Sequence, residues 1–504
     1  VEEQGRETDI GKKAAKGFFS ILTRNMMARV MGLVSMVVLA RALSPSDFGL
    51  VSITEVLLSF IAVFGVTGVF EFLVSYRGAD RAAMNQSAFW FNILMGLGVV
   101  VVLGILAPFW AASNGDARII PLSYLVSGIF FLSCLQILPK SILSHRLDFA
   151  TQARVQNPFV ILVPMGKITC VYLGFGVYSL LLPTLFFGLI QTFLFYRAVQ
   201  WRFQWTLLTR RWKEIYAFSR HLVGTTFLTR ITDEGDKFIL GHFLGLEALG
   251  IYNLASQLSQ LFTANVSTIT NQIFAATFPK YAHDPGLMLQ RYLQVTKVIA
   301  FFSFPIMACM AVAATPLIHL IYTEKWAAAI VPFQILTIFA IFRSITSSAG
   351  AVFNALLVPQ RAFYPLLVYA PIHLLVSIWA SQHSLVLLAS GVVMVKLLYL
   401  QYRIYQVSSL LQSSVRKFYD NLFSIMLATG FAIMAGASLD FLSIVSPVLE
   451  VILIGLVFCL AYWLALQLFG RRDLEVVRDF FSKINGRAGQ LFGRFFCLKP
   501  IPKY

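Results

Sequence analysis

The sequence predicts an all-α integral membrane protein of about 14 transmembrane helices: two pseudo-symmetric six-helix lobes in parallel repeat, then a C-terminal helix pair. Three observations predict it. The 504 residues are 58% hydrophobic and only 12% charged, whereas soluble domains carry about 25% charged residues. Apolar runs recur at bilayer length, about 20 residues each. Finally, the stretch LARALSPSDFGLVSI (39–53) returns as LGHFLGLEALGIYNL (240–254), offset by 201 residues. In that register Leu39, Leu43 and Gly49 meet Leu240, Leu244 and Gly250. Each copy reads as a helix end, a tight turn and a new helix, punctuated by Pro45 and Asp47 in the first and by Gly245 and Glu247 in the second. A repeat of this period means two similar halves.

Taken in order, the spans fall at 18–43, 48–74, 86–111, 118–141, 153–174, 177–200, 215–243, 248–274, 291–315, 328–356, 363–382, 384–406, 418–438 and 444–470. The first is interrupted by Arg24 and Arg29, the seventh by Arg230, Asp233, Glu234, Asp236 and Lys237. Hydropathy alone rejects the seventh, but the repeat makes it the partner of the first. Basic residues collect on alternate connections: Lys12, Lys13 and Lys16; Arg77 and Arg81; Lys140 and Arg146; Arg202 to Lys213; Lys280 and Arg291; Arg361; Arg403, Arg416 and Lys417; and the tail from Arg471. The opposite connections hold little beyond Arg41, Arg118 and Lys325. The positive-inside rule then puts both termini in the cytoplasm and requires an even number of spans. The expected organisation is an N-lobe over 1–206, a C-lobe over 207–410, a helix pair over 411–470 and a basic tail over 471–504. In that tail Leu474, Val477, Phe481 and Ile484 share one helix face, as an amphipathic surface helix requires.

The net charge of +17 is that of topology-setting loops that touch anionic lipid, and no nucleic-acid partner is expected. Five isolated cysteines, with no CxxC spacing, make neither a disulfide framework nor a metal site. The chain has no GxxxxGK[ST] phosphate loop, no HExxH and no GxSxG elbow. No cofactor, metal or enzymatic chemistry is therefore expected, and transport is the class that fits.

Charges inside the spans carry the functional reading. Each costs about 2.5–3.5 kcal/mol at mid-helix, so it faces a partner or a polar cavity. The cations are Arg24, Arg29, Lys167, Arg230, Arg343 and Lys396. The repeat offset carries Arg29 onto Arg230. The acids are Glu55, Glu71, Asp233, Asp236 and Glu450. Helical rise separates Arg29 and Glu55 by about 9 Å in depth, while Arg24 and Glu71 come closer. Arg230 with Asp233, and Asp233 with Lys237, have helical pair spacing. The six cations suit a ligand that carries phosphate, which arginine grips through forked donors. Glu55, Asp236 and Asp233 are the candidates for coupling to an H+ or Na+ gradient, with Glu55 favoured because no partner for it shows in the sequence.

Beyond these residues, LARALSPSDFGL (39–50), AFWFNILMGL (88–97), LGFGVYSL (173–180), DKFILGHFLGLEALGIYNLASQL (236–258) and EKWAAAIVPFQIL (324–336) resemble the polysaccharide-transporter, or Wzx-type, flippases. These belong to the multidrug/oligosaccharidyl-lipid/polysaccharide exporter superfamily. The resemblance implies fourteen helices around a central cavity, and flipping of an undecaprenyl-diphosphate-linked oligosaccharide to the outer leaflet. It implies lipid-linked oligosaccharide and polysaccharide-synthesis proteins as partners. A lipid II flippase, a multidrug exporter of the same superfamily, and a membrane polysaccharide polymerase remain the alternatives. An arginine-rich cavity disfavours lipophilic cations, and short outer loops disfavour the polymerase.

Topology is directly testable. Cysteines introduced at Asn114 and Ser381 should react with an impermeant reagent in intact cells, and those at Asn85, His283 and Arg487 should not. Labelling of His283→Cys would refute this register of spans.

Overall fold

The computed structural model describes residues 27–78, 80–201, 211–261, 263, 278–358, 360–439 and 446–484. Among these the regular structure is entirely helical, and nine helices are long and apolar enough to cross a membrane. The chain is a multi-pass membrane protein. It divides into two compact units, Val1–Gly250 and Ile251–Tyr504, whereas the expected lobe boundary was at 206/207.

The first unit contains a helix at 27–42, then Pro45–Val66, Val69–Ser75, Arg81–Asn114, Ile119–His145, Phe149–Tyr172, Leu182–Val199 and Trp212–Phe243. The turn before Pro45–Val66 is a capping box. The Ser44 N–H donates to Asp47 Oδ2 at 3.0 Å, and the Asp47 N–H donates to Ser44 Oγ at 3.2 Å. Pro45 occupies the first turn, where its missing N–H costs nothing. In the second copy Gly245 takes the place of Ser44 and adopts φ +85°, a left-handed conformation open to glycine.

The repeat meets itself at this turn. A Cβ on Gly49 would lie 1.8 Å from the Leu246 carbonyl oxygen, and one on Gly250 would lie 1.8 Å from the Pro45 carbonyl oxygen. Gly49 matches Gly250 in the repeat and Pro45 matches Leu246, so the contact is reciprocal. The first turns of the two second-in-pair helices therefore cross backbone to backbone, as small residues allow in membranes. Deeper in the same unit, Phe60 packs edge-on against Phe238 at 5.8 Å and Phe64 against Phe227 at 5.2 Å, seating Trp212–Phe243 along Pro45–Val66. A buried cluster around Val69, Met84, Phe91, Leu138 and Phe195 holds the opposite end of the unit.

Polar groups fasten the connections. Arg118 reaches Asp116 at 2.7 Å and Asp47 at 3.4 Å, and the guanidinium hydrogen bond holds the Asp116 carboxyl below its ordinary range. Arg211 donates to Tyr76 Oη at 2.8 Å and to Asp80 Oδ2 at 3.1 Å, while Trp212 Nε1 donates to the Ser87 carbonyl. Those bonds anchor the start of the seventh expected span.

In the second unit, Pro285–Val312 packs on Ile330–Thr346 and Phe423–Ala437. Leu385–Leu410 packs on Ile330–Thr346 and on Gln360–Ser381, and Pro447–Phe469 packs on Phe423–Ala437. Phe301, Phe304, Phe353, Ile425 and Phe458 centre its core. The Arg471–Ile484 helix follows, and its Leu474 and Val477 are buried in that same core, against protein where a membrane-surface helix was expected. Its Asp473 accepts from Lys297 Nζ and Ser424 Oγ. Phe481 and Ile484 side chains lie outside the described residues.

Several spans differ from expectation in their bounds. The 48–74 run breaks at Gly68, where φ is +83°. The 328–356 run breaks after Thr346, and 418–438 breaks after Asp420. Leu73 and Tyr76 carbonyls accept from Arg81, which ties the end of Val69–Ser75 to the start of Arg81–Asn114.

Gly49→Ala and Gly250→Ala should each force the two turns apart, costing at least the ~1–3 kcal/mol of an overpacked core. Thermal unfolding of purified protein should show lowered midpoints for both. A Gly49→Ala protein as stable as the parent would mean that the crossing is not close.

Candidate functional site

Two constellations of charge lie inside the helical units. In the first unit, Glu55 stands two to three turns into the capped Pro45–Val66 helix. Protein covers its side chain only in part, and the charges whose fields act on it are Lys167, Lys237 and Glu234. Lys167 feels Glu55 in return. Lys167 sits one turn after Pro164 in Phe149–Tyr172, a helix interrupted by two prolines, each of which withdraws a backbone hydrogen bond. Lys237 closes an ion pair with Glu234 at 2.9 Å, with both side chains largely covered. Glu55 closes no ion pair of its own among the described residues. It therefore sits beside cations without being locked to one.

The second constellation gathers on one ring. Arg343 lies 5.8 Å and Lys396 5.4 Å from the centroid of Phe339. Phe339 and Arg343 are one helical turn apart on Ile330–Thr346, and Lys396 comes from the packed helix Leu385–Leu410. Arg343 Nη1 also points at Gln260 Oε1, at 3.5 Å. Both cations fall within the ~6 Å reach of a ring quadrupole. Arg343 makes no ion pair among the described residues, so its forked donors keep capacity for an anion.

The remaining sequence candidates scatter. Arg24 lies outside the described residues, which leaves its expected nearness to Glu71 without a structural partner. Arg29 is half-buried on the 27–42 helix. Arg230 and Asp233 are exposed on Trp212–Phe243, and neither closes an ion pair among the described residues. The helical pairing expected of Asp233 with Lys237 goes instead to Glu234. Asp236 is buried, and its Oδ1 accepts the Lys237 N–H at 3.0 Å. The structure thus brings Lys167 and Lys237 to Glu55, for which the sequence showed no partner, and joins Arg343 to Lys396. Phe339 and Gln260 went unread in the sequence. The one available signal was the four-residue spacing of Phe339 and Arg343. Among the described residues no His, Cys, Asp and Glu group is arranged for a metal ion.

Comparison with known proteins gives three kinds of match. A family profile described as polysaccharide biosynthesis protein matches residues 38–331. Among curated relatives, the teichuronic acid biosynthesis protein TuaB of Bacillus subtilis is 24% identical over 295 residues, 56% of this chain and 60% of that protein. The succinoglycan biosynthesis transport protein ExoT of Rhizobium meliloti is 24% identical over 297 residues, 58% of this chain and 59% of that protein. The chain thus matches about three fifths of the length of these relatives. Among solved structures, the lipid II flippase MurJ in an inward closed conformation superposes with a TM-score of 0.72 at 15% identity, covering 89% of this chain and 98% of that one. An inward-facing MATE multidrug resistance transporter gives 0.59 at 14% identity, covering 79% and 99%. At these identities the superpositions establish the fold.

The Glu55 and Lys167 pair can be tested by a double-mutant cycle on thermal stability. Glu55→Gln and Lys167→Met should couple by about 0.5–3 kcal/mol, as charges that share a field do. Additive losses would mean that the two residues act separately.

Proposed function

This chain belongs to the polysaccharide biosynthesis protein family, and from that premise we propose that it is a flippase. Its substrate is an undecaprenyl-diphosphate-linked oligosaccharide, carried from the inner to the outer leaflet of a bacterial cytoplasmic membrane by alternating access. The product feeds exopolysaccharide, capsule or O-antigen assembly. The observation that carries this reading is the convergence of Arg343 and Lys396 on Phe339.

A diphosphate needs donors that form charge-assisted bonds while the site excludes water, and an arginine fork supplies two at once. Lys396 adds a mobile point charge beside it. The Phe339 face holds both cations ready and offers no competing carboxylate of its own. Two cations on one ring repel the lipophilic cations that a multidrug exporter binds, which favours the anionic lipid-linked glycan. Arg29 and Arg230 extend the same cationic character onto the first unit.

Coupling to an H+ gradient falls to Glu55 in this reading. A carboxyl in the fields of Lys167 and Lys237, with no locked partner among the described residues, can exchange a proton when its surroundings change. Asp233 and Asp236 are the secondary candidates.

Reconstitution into vesicles with a labelled lipid-linked oligosaccharide tests the proposal. The Arg343→Ala, Lys396→Ala double variant should flip at least about tenfold more slowly, the loss of roughly one charge-assisted bond. Arg343→Lys should retain part of the rate, since it keeps charge but loses the fork. Arg29→Ala and Arg230→Ala should weaken flipping less. Glu55→Gln should keep substrate binding but lose dependence on an imposed pH gradient. Undiminished flipping by the double alanine variant, at equal protein level, would remove the carrying observation.

A further inference from the structure

A groove of about 710 Å³ runs between Gln360–Ser381 and Leu385–Leu410 in the second unit. It plays no part in the charge constellations above. Its walls change character along its length. At one end stand Arg361, Tyr405, Gln406 and Ser409, and toward the other lie Val368, Ile372 and Leu398. The apolar wall belongs to the outward stripes of both helices: Val368 is 65% exposed and Leu398 61%. Leu367, Leu375 and Met394 continue those stripes. On a membrane protein such stripes face hydrocarbon, so the groove opens to lipid.

The polar end is built for an anionic head. Arg361 is exposed and makes no ion pair among the described residues. Its carbonyl accepts from Gln406 Nε2 at 3.0 Å, which closes the groove at that end. The Gln406 side chain is buried behind that bond. From Arg361 to Ile372 the helix rises about 16 Å, close to half the ~30 Å hydrocarbon core. The stacked rings of Tyr369 and Tyr399, 4.3 Å apart, form a rigid floor between the two ends.

We propose that this groove binds a membrane phospholipid with an anionic head, its phosphate at Arg361 and one acyl chain along Val368, Ile372 and Leu398. A groove one leaflet deep fits an acyl chain in its ordinary orientation. Its lining includes neither Arg343 nor Lys396.

The test uses the full chain in detergent, offered equal phosphatidylglycerol and phosphatidylcholine, with retained lipid read by native mass spectrometry. Phosphatidylglycerol should be retained about fivefold over phosphatidylcholine, as one arginine at a headgroup provides. Arg361→Glu should abolish that preference, and Val368→Trp should lower retention of both lipids by filling the apolar wall. Thermal unfolding establishes that each variant is folded. Should a variant fail to fold, a phosphatidylglycerol with a photoreactive acyl chain is mapped on the parent protein, where labels at 364–372 and 395–405 are expected. Equal retention of the two lipids, an unchanged preference in Arg361→Glu, labels only outside those stretches, or displacement of phosphatidylglycerol by polyprenyl phosphate would each overturn the assignment.

Discussion

Two glycines hold the repeat together where it meets itself. With Cβ positions 1.8 Å from opposing carbonyl oxygens, Gly49 and Gly250 leave no room for any side chain, and the turns that precede them must deliver both helices to one point. That demand reaches back into the sequence. The capping box of Ser44 and Asp47 fixes the entry of one helix, and the left-handed Gly245 fixes the other. Arg118 then clamps Asp47 from the neighbouring turn. A contact made of backbone alone is insensitive to side-chain identity elsewhere, which explains why a duplicated chain can diverge as far as these halves have and still keep the crossing. The deeper phenylalanine contacts of Phe60 and Phe64 depend on this placement, because they lie four to five turns down the same helix.

The charges show how the rest of the chain uses the frame. Each costs about 2.5–3.5 kcal/mol at mid-helix, and the two units offset that cost differently. The first does so with opposite charge, in Glu234 against Lys237 and in the fields of Lys167 and Lys237 at Glu55. The second uses a ring, with Arg343 and Lys396 sharing Phe339. Neutralised pairs hold a structure but offer a ligand little. A ring face holds a cation without cancelling its charge.

Much of this was legible in the sequence, and the boundary of legibility is physical. Helical class and membrane residence follow from composition, and Pro45, Asp47 and the repeated glycines announced the turn. The break at Gly68 was not read, because a single glycine within an apolar run leaves hydropathy unchanged. Glu55 looked isolated because Lys167 lies more than a hundred residues away in the chain and only packing unites them. Arg343 and Lys396 were both singled out as cations, yet nothing in the spacing says that they share a ring. The same holds for Asp473, which periodicity placed on an amphipathic helix without revealing Lys297 beneath it. Local signals were readable, and juxtapositions across helices were not.

Hydropathy itself carries one more inference when its failures are read as signals. Two described helices of bilayer length, Phe149–Tyr172 and Trp212–Phe243, fall outside the nine that are apolar enough to span. These are the helices that supply Lys167 to Glu55 and that carry Arg230, Asp233, Glu234, Asp236 and Lys237. A helix surrounded by lipid on every side would not tolerate such a load, since each unpaired charge adds its own cost. Trp212–Phe243 packs along Pro45–Val66 and keeps Glu234, Asp236 and Lys237 wholly or partly covered, while Arg230 and Asp233 stand exposed on it. The two most apolar helices, Arg81–Asn114 in the first unit and Pro447–Phe469 in the second, leave most of their length uncovered by protein. Low hydropathy in Phe149–Tyr172 and Trp212–Phe243 therefore goes with packing inside their own unit.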